Sequence, residues 1–388
     1  MAMKRICFDY QAGYPVDPRI VEAMLPYYTE FFGNPSSIHV FGDAPRKALE
    51  NARKKVAELI NANKKEEIIF NSGATEGNNL ALLGVAYRNK DHGKHIITTQ
   101  IEHISIRNLC KHLEKQGFKI TYLPVDKCGM LDPESLKKEI TDETILVSIN
   151  YANGEIGTIE PIREMGEIAR RKNIYLHVDA VAAAGKIPID VQRDNIDLVT
   201  ISSNDMYGPK GVGALYVGEG TKLSPQVIGG GQERGLRSGT ENIPGIVGLG
   251  KAAELAKAEM AEEGPKLTEL RDRLMNGLLE IQDSYLNGHP TQRLPNNANL
   301  RFSYVEGESL LLSLDMEGIA VSSGSACTSK TLEPSPVLLA IGLKHEEAHG
   351  SLSFTMSKYN SKDDVDHAIE VLPRIVTKLR AISPLTPR

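Results

Sequence analysis

Six short stretches gather the residues of this chain that could do chemistry. Asn71-Ser72-Gly73-Ala74-Thr75-Glu76-Gly77-Asn78-Asn79 joins a glycine turn to the start of a helical pattern. Such a turn offers free backbone N–H groups and a positive dipole end to an anion such as a phosphate; an unliganded helix start has the same pattern. Glu102-His103 follows a short apolar run and supplies either a catalytic imidazole or a hydrogen-bonded loop residue. Tyr175-Leu176-His177-Val178-Asp179-Ala180 is an apolar strand that ends in a carboxylate. A buried carboxylate needs a cation, unless Asp179 merely caps a helix. His177 lies on the same side two residues earlier, but no third ligand stands at metal spacing.

Three further stretches lie downstream. Ile201 to Gly211 holds Ser202, Ser203, Asn204, Asp205 and Lys210. Gly229-Gly230-Gly231 precedes Arg234, Arg237, Ser238 and Thr240, which suits a loop gripping an anion, or a mobile surface loop. Ser322-Ser323-Gly324-Ser325-Ala326-Cys327-Thr328-Ser329 sets a cysteine among small residues, where a thiol is free to move and react. An ordinary exposed cysteine is the alternative. Cys7, Cys110 and Cys128 stand in plain surroundings, and no two cysteines form the close pairs of a zinc site or a disulfide framework.

The elements that must position these residues alternate along the chain. Apolar strands are expected at Glu67–Phe70, His95–Thr99, Ile145–Ile149, Tyr175–Asp179 and Leu198–Ser202. Helical patterns lie at Asp43–Ile60, with Asp43 as N-cap, and at Gly77–Arg88, Ile104–Gln116 and Ile162–Lys172. Strand–helix alternation of this kind makes a mainly parallel sheet with helices on both faces, and its ligands bind beyond the carboxyl ends of the strands. A long helical stretch from Ile246 to Leu279 contains Gly264-Pro265 and is expected to break into two helices or bend there. Strands near Asn299–Phe302 and Ser351–Phe354 and a helix at Asp363–Ile382 then form a smaller α+β unit with the first dozen residues.

Composition bounds the partners. The 388 residues carry a net charge of −5 with both signs interspersed, so nothing marks a nucleic-acid or anionic-membrane binder. No apolar run approaches the ~20 residues that cross a bilayer, and Met1 to Gln11 has no apolar secretory core. A soluble cytoplasmic protein is expected.

Together these segments resemble the cysteine desulfurases of iron–sulfur cluster assembly, a NifS/IscS-like group of the class V aminotransferase family with the fold-type I pyridoxal-phosphate (PLP) architecture. The similarity runs from Asp9-Tyr10 to Ile382-Ser383-Pro384-Leu385. Its most specific pieces are Gly73–Asn79, His177–Ala180, Tyr207–Gly211, Glu233–Thr240, Glu306–Leu310 and Ser322–Ser329. The resemblance implies a large PLP-binding domain over residues 15–260, with a mainly parallel seven-stranded sheet. Residues 1–14 and 261–388 would form a small α+β domain carrying a mobile Cys327 loop. It further implies that Ala74, Thr75 and Ser202 hold the cofactor phosphate, and that Thr240 reaches it from the second subunit of a homodimer. His103 would stack on the pyridine ring, Asp179 would pair with the ring nitrogen, and Asn153 would bond the phenolic oxygen. Cys327 would take sulfur from the substrate, L-cysteine, and hold it as a persulfide.

The chain departs from that family at the chemistry itself. The family bonds PLP as an imine to a lysine that directly follows a histidine; here those two positions are Asn204 and Asp205. A carboxylate cannot form an imine, and Lys210 matches a glycine-flanked lysine that the family has in addition. The glutamine three residues after the ring-pairing aspartate is Ala182. The substrate-carboxylate arginine aligns with Ser353, the A-T-T run reads Ala12-Gly13-Tyr14, and the second asparagine of N-N-E-I-G is Gly154. Losing the arginine removes a charge-assisted contact of roughly 1.5–3 kcal/mol.

The expectation is therefore a family member that binds PLP non-covalently, with Asn204 and Asp205 in its site. Its own turnover of cysteine would be weak or lost. Cys327 would carry sulfur from L-cysteine or another donor, or ligate iron of a 2Fe-2S cluster shared with a scaffold protein, since soft thiolate suits iron–sulfur chemistry. Two alternatives are a desulfurase working without the lysine, with Asp205 or His103 moving protons, and a non-enzymatic assembly protein. The family's longer C-terminal docking tail is absent before Arg388, so weaker docking or another docking surface is expected.

Overall fold

The computed structural model describes residues 5–324 and 334–384; Cys327 lies outside them. The apolar runs of the first two thirds of the chain assemble into one sheet. In chain order its strands are β1 (Ile68–Asn71), β2 (His95–Thr99), β3 (Lys119–Leu123), β4 (Thr144–Asn150), β5 (Tyr175–Asp179), β6 (Leu198–Ser202) and β7 (Gly213–Val217). They lie in the order β1-β7-β6-β5-β4-β2-β3, giving seven strands. Neighbours run parallel except β7, which is antiparallel to both β1 and β6. The expected mainly parallel seven-stranded α/β sheet is thus present.

These strands are nearly continuous apolar runs because both faces are covered, so successive residues enter two different cores rather than core and water. Ile68, Phe70, Val199 and Ile201 pack on one side against the helices Val40–Leu59 and Ile243–Leu279. Ile69, Leu198 and Leu215 pack on the other, against Ala74–Asn89 and Ile104–Lys115. A second core gathers Ile6 and Phe8 with Leu274, Leu300, Phe302, Leu352, Phe354 and Leu372. It lies on an antiparallel sheet ordered Ser351–Thr355, Asn297–Phe302, Ser284–Asn287 and is closed by the helix Lys362–Ile382.

Two local expectations are corrected. The helix expected from Asp43 starts at Val40, with His39 as an N-cap that makes no side-chain bond, and Asp43 instead pairs with Arg46 at 3.0 Å. The stretch expected to break at Gly264-Pro265 is one unbroken helix of 37 residues, Ile243–Leu279. Pro265 removes one helical N–H, but its would-be acceptor, the Ala261 carbonyl, belongs to an exposed residue where water can satisfy it. Two strands were not expected: β3, half exposed at the sheet edge and mixed in polarity, and β7, a buried apolar run that follows Gly211-Val212-Gly213.

Candidate functional site

Strands β1, β2, β4, β5 and β6 all point one way, and the flagged side chains collect beyond their carboxyl ends. After β1, Gly73 adopts φ +139, ψ −176, a backbone conformation that suits only glycine. Its N–H donates to Asn71 Oδ1 at 2.9 Å. The first helical bond is Gly77 N–H to Gly73 O at 3.0 Å, which leaves the N–H groups of Ala74, Thr75 and Glu76 outside the helical ladder. A Cβ placed on Gly73 would meet nothing within 4 Å. This is an open cradle at a positive helix end.

His103 follows β2 and caps the next helix: its Nδ1 accepts the Ser105 N–H at 3.2 Å and lies 2.8 Å from Ser105 Oγ. An accepting Nδ1 puts the ring proton of the neutral form on Nε2. Asp179 ends β5, directly across from Asn150 in β4. One oxygen accepts from Asn78 Nδ2 at 2.8 Å and the other from Val181 N–H at 3.1 Å. The carboxylate is therefore aimed and anchored by neutral donors, with its charge left for a ligand.

Beneath lies Glu102, 2% exposed, whose Oε1 accepts from Thr99 Oγ1 (2.7 Å), Asn150 N–H (3.0 Å) and Asn150 Nδ2 (3.1 Å). Burial, helped by the nearby Asp179 charge, pushes its carboxyl up to about 8. His177 is wholly buried between Ser148 Oγ (2.9 Å) and Thr200 Oγ1 (3.0 Å), and burial depresses it to about 3. It is a neutral structural residue rather than half of a metal pair. Among the described residues no cluster of three or more His, Cys, Asp or Glu could hold a metal ion. Asn153 is committed mostly to its own turn: Oδ1 accepts the N–H groups of Glu155 and Ile156, both at 3.0 Å, and Nδ2 donates to Ile101 O at 2.8 Å. One amide N–H remains for a ligand.

After β6, Asn204, Asp205 and Met206 form a short turn. The buried Asp205 carboxyl bonds the side chains of Ser202 and Asn204 and faces Lys186; burial raises its pKa, and the lysine's charge opposes that rise. Lys186 Nζ donates to the Asp205 carbonyl at 3.1 Å and sits 5.2 Å from the centre of the Tyr14 ring. Tyr14, 3% exposed, accepts from Asn296 Nδ2 at 3.1 Å. Lys210 is turned to Tyr14 O at 3.4 Å. Sequence reading missed Lys186 altogether. The available signal was a lone lysine inside the apolar run Ala183-Ala184-Gly185-Lys186-Ile187-Pro188.

The remaining departures form a connected patch. A Cβ on Gly154 would lie 2.0 Å from Gln11 Nε2, so the Gln11 amide fills the space of the side chain that glycine lacks. Ser353, 5% exposed, donates to Glu155 O at 3.3 Å and pairs with Ser322 across a backbone bridge. The Glu155 Oε1 has no partner among the described residues, and burial raises its carboxyl to about 7. In the glycine-rich loop the arginines are already engaged. Arg237 pairs with Glu76 at 2.8 Å, and Arg234 donates to Glu66 O at 2.7 Å. Glu233 locks the loop to β1 through Arg53, at 2.7 Å for each of two bonds, and through Phe70 N–H at 2.8 Å. Thr240 is exposed, with no hydrogen bond among the described residues.

The unmet groups of this site describe its ligand. The Gly73 cradle with its free N–H groups, the buried Asn71 Nδ2, which has no partner among the described residues, and the anchored Asp179 carboxylate fit a cationic ring bearing a phosphate. A doubly covered parallel sheet with such a site at its carboxyl edge defines a fold-type I PLP protein. The aminotransferase class-V family model matches residues 6–368. The chain is 57% identical to cysteine desulfurase IscS 1 of Archaeoglobus fulgidus, over 97% of this chain and 98% of that one. It is 55% identical to cysteine desulfurase IscS of Methanosarcina thermophila, over 99% and 95%. A solved structure named NifS-like protein superposes with a TM-score of 0.91 at 37% identity, covering 97% of this chain and all of that one. The chain belongs to the PLP-dependent class-V aminotransferase family, in its IscS/NifS-like cysteine desulfurase branch.

Proposed function

We propose that this chain holds PLP without a covalent bond and serves iron–sulfur cluster assembly through Cys327, with little or no turnover of free cysteine. The observation that carries this reading is position 205. The resemblance aligns the family's imine-forming lysine with Asp205, a buried carboxyl beside Ser202 and Asn204, and a carboxyl cannot form an imine. The nearest described lysines, Lys186 and Lys210, are occupied with backbone carbonyls.

The residues that would hold the cofactor are Ala74, Thr75, Ser202 and Asn204 at the phosphate, His103 against the ring, Asp179 at the ring nitrogen and the spare N–H of Asn153 at the phenolic oxygen. PLP, when bound, supplies an electron-withdrawing ring that draws electron density from an attached amino acid. Asp179 would hold a proton on that nitrogen by charge, its own orientation kept by Asn78 and the Val181 N–H. Ser353 offers a hydroxyl where a carboxylate-binding cation belongs, and the acidic Glu155 beside it repels an amino-acid carboxylate when ionised. Poor retention of free cysteine follows.

Cys327 would then accept sulfur from a donor already at the persulfide level, whose thiolate leaves as the new S–S bond forms, or ligate a 2Fe-2S cluster with a scaffold partner. A homodimer completes the site by bringing Thr240 of a second copy to the phosphate. Exposed Phe32 (68%), Ile38 (100%), Val40 (74%), Phe41 (60%) and Ile228 (87%) support association, because a single soluble chain seldom leaves such apolar area uncovered.

Treatment of the purified protein with borohydride, followed by mass spectrometry, tests the reading. The expected result is a cofactor that denaturation releases, as PLP from untreated protein and as its reduced alcohol after borohydride, with no lysine adduct and no alanine formed from cysteine. A phosphopyridoxyl-lysine peptide would overturn it.

A further inference from the structure

We propose that Lys358 is an electrostatic latch across the mouth of a cleft that leads from solvent to Asp205, and that its release opens that cleft. The helix Ile243–Leu279 runs from the first core, where Ile246, Leu249 and Ala252 are buried, into the second, where Leu267, Leu274 and Leu278 are buried. Between the cores, along residues 255–267 of that helix, lies an open cleft of about 550 Å³. Its deep end is lined by Tyr14, Asp205, Met206, Asn296 and Met356, all buried. The side chains of Lys358, Glu259 and Glu263 also line it and are between 19% and 29% exposed, which marks their end as the mouth.

Lys358 spans that mouth. It follows the strand Ser351–Thr355 of the second sheet, and its backbone N–H donates to the Tyr207 hydroxyl at 3.0 Å. Its ammonium reaches Asp17 Oδ2 at 2.7 Å, Glu259 Oε2 at 3.5 Å and Glu263 Oε1 at 3.9 Å, and lies 4.5 Å from the centre of the Tyr207 ring. The Asp17 carboxylate is held from its own side, by the Arg19 N–H at 2.9 Å and the Arg19 guanidinium at 2.8 Å. Carboxylates and an aromatic face thus form a fixed socket, and the second sheet supplies the cation that enters it. The Asp17 side chain is only 5% exposed, so the pair is screened less than one on the surface. A lysine head on a flexible four-carbon stem can still withdraw. Opening then has a gain that offsets the lost contacts: Asn296 Oδ1 is buried with no partner among the described residues, and an entering water satisfies it. The same water reaches Asp205, so the latch sets how readily that carboxyl exchanges its proton with solvent.

Methionine oxidation by dilute hydrogen peroxide, read residue by residue by mass spectrometry on the full-length chain, tests the latch. Met206 and Met356 line the cleft, whereas Met165, equally buried in the first core, does not. In Lys358→Met, Met206 and Met356 should oxidise at least about five-fold faster than in the parent while Met165 stays within about two-fold, and Lys358→Arg should restore the parent rates. Raising the salt to about 1 M, where screening acts over ~3 Å, should speed the same two methionines in the parent but not in Lys358→Met. A joint acceleration of all three methionines would mean that Lys358 only stabilises the fold, and unchanged rates would mean that it closes nothing; either result overturns the latch. If Lys358→Met does not fold, the salt series on the parent decides alone. Met206 and Met356 outpacing Met165 then supports the latch, and parallel rates refute it.

Discussion

Replacing Glu102 with glutamine should change how the stability of this protein depends on pH. Glu102 sits under the proposed ring site, 2% exposed, with three donors on Oε1 and none on Oε2 among the described residues. Its carboxyl titrates near 8 in the fold, against an ordinary value of 4.5. Between those two values the folded chain keeps the proton while the unfolded chain loses it. The unfolded state therefore binds fewer protons, and stability falls as pH rises. The contribution is fully present below 4.5 and is lost progressively up to about 8. At about 1.36 kcal/mol for each pH unit, the total loss has a ceiling of about 5 kcal/mol.

Glutamine keeps the accepting oxygen and cannot ionise, so Glu102→Gln should remove that slope. Urea unfolding of parent and variant at matched values from about pH 5 to about pH 8 measures it. The variant should gain on the parent steadily as pH rises, ending several kcal/mol ahead relative to its starting point. Parallel curves for the two proteins would refute the reasoning, since they would mean that Glu102 is ionised in the fold or exchanges with solvent. The point bears on the proposed function because a neutral Glu102 adds no second negative charge beside Asp179, the residue proposed to meet the ring nitrogen.

Three further outcomes follow from the geometry. Arg53→Met strands the Glu233 carboxylate, which is 7% exposed, and should cost about 3–5 kcal/mol in denaturant unfolding, most of it recovered in Arg53→Met/Glu233→Leu. Gly73→Ala should destabilise the chain by about 1–3 kcal/mol and reduce PLP binding in dialysis, because φ +139 strains any residue with a Cβ even though the space in front is open. Asp205→Lys should create a borohydride-trappable PLP adduct. Measurable alanine release from cysteine should need Ser353→Arg as well, because the carboxylate anchor is missing independently.

How much of this was legible in the sequence depended on where the determining interactions lie. Buried parallel strands announce themselves as apolar runs, so β2, β5 and β6 are found where His95–Thr99, Tyr175–Asp179 and Leu198–Ser202 predict them. Edge strand β3 carries a weaker pattern because it is half solvated, whereas β7 was overlooked although its Ala214–Val217 run is as apolar as the others. Gly264-Pro265 predicted a break that an exposed helix face can do without. Among site residues, Gly73 and Asp179 were readable because their roles are local: a turn conformation and a strand end. The engagement of Arg234 and Arg237 with Glu66 and Glu76 was not, since those partners lie more than 150 positions away.

The departures from the resembled family share that long-range character and explain one another. Read along the chain, Tyr14, Gly154, Asp205 and Ser353 are four separate changes. In space, Gln11 fills the volume beside Gly154, the Lys186 ammonium lies over the Tyr14 ring, and the same ammonium donates to the Asp205 backbone carbonyl. A decaying site accumulates voids and unpaired charges, each costing stability. Here Gln11 occupies the space beside Gly154, while Glu155 Oε1 and Asn204 Oδ1 stay buried with no partner among the described residues. Asp205→Lys alone should give attachment of the cofactor before it gives turnover, because Ser353 stays at the position that the resemblance aligns with the substrate arginine.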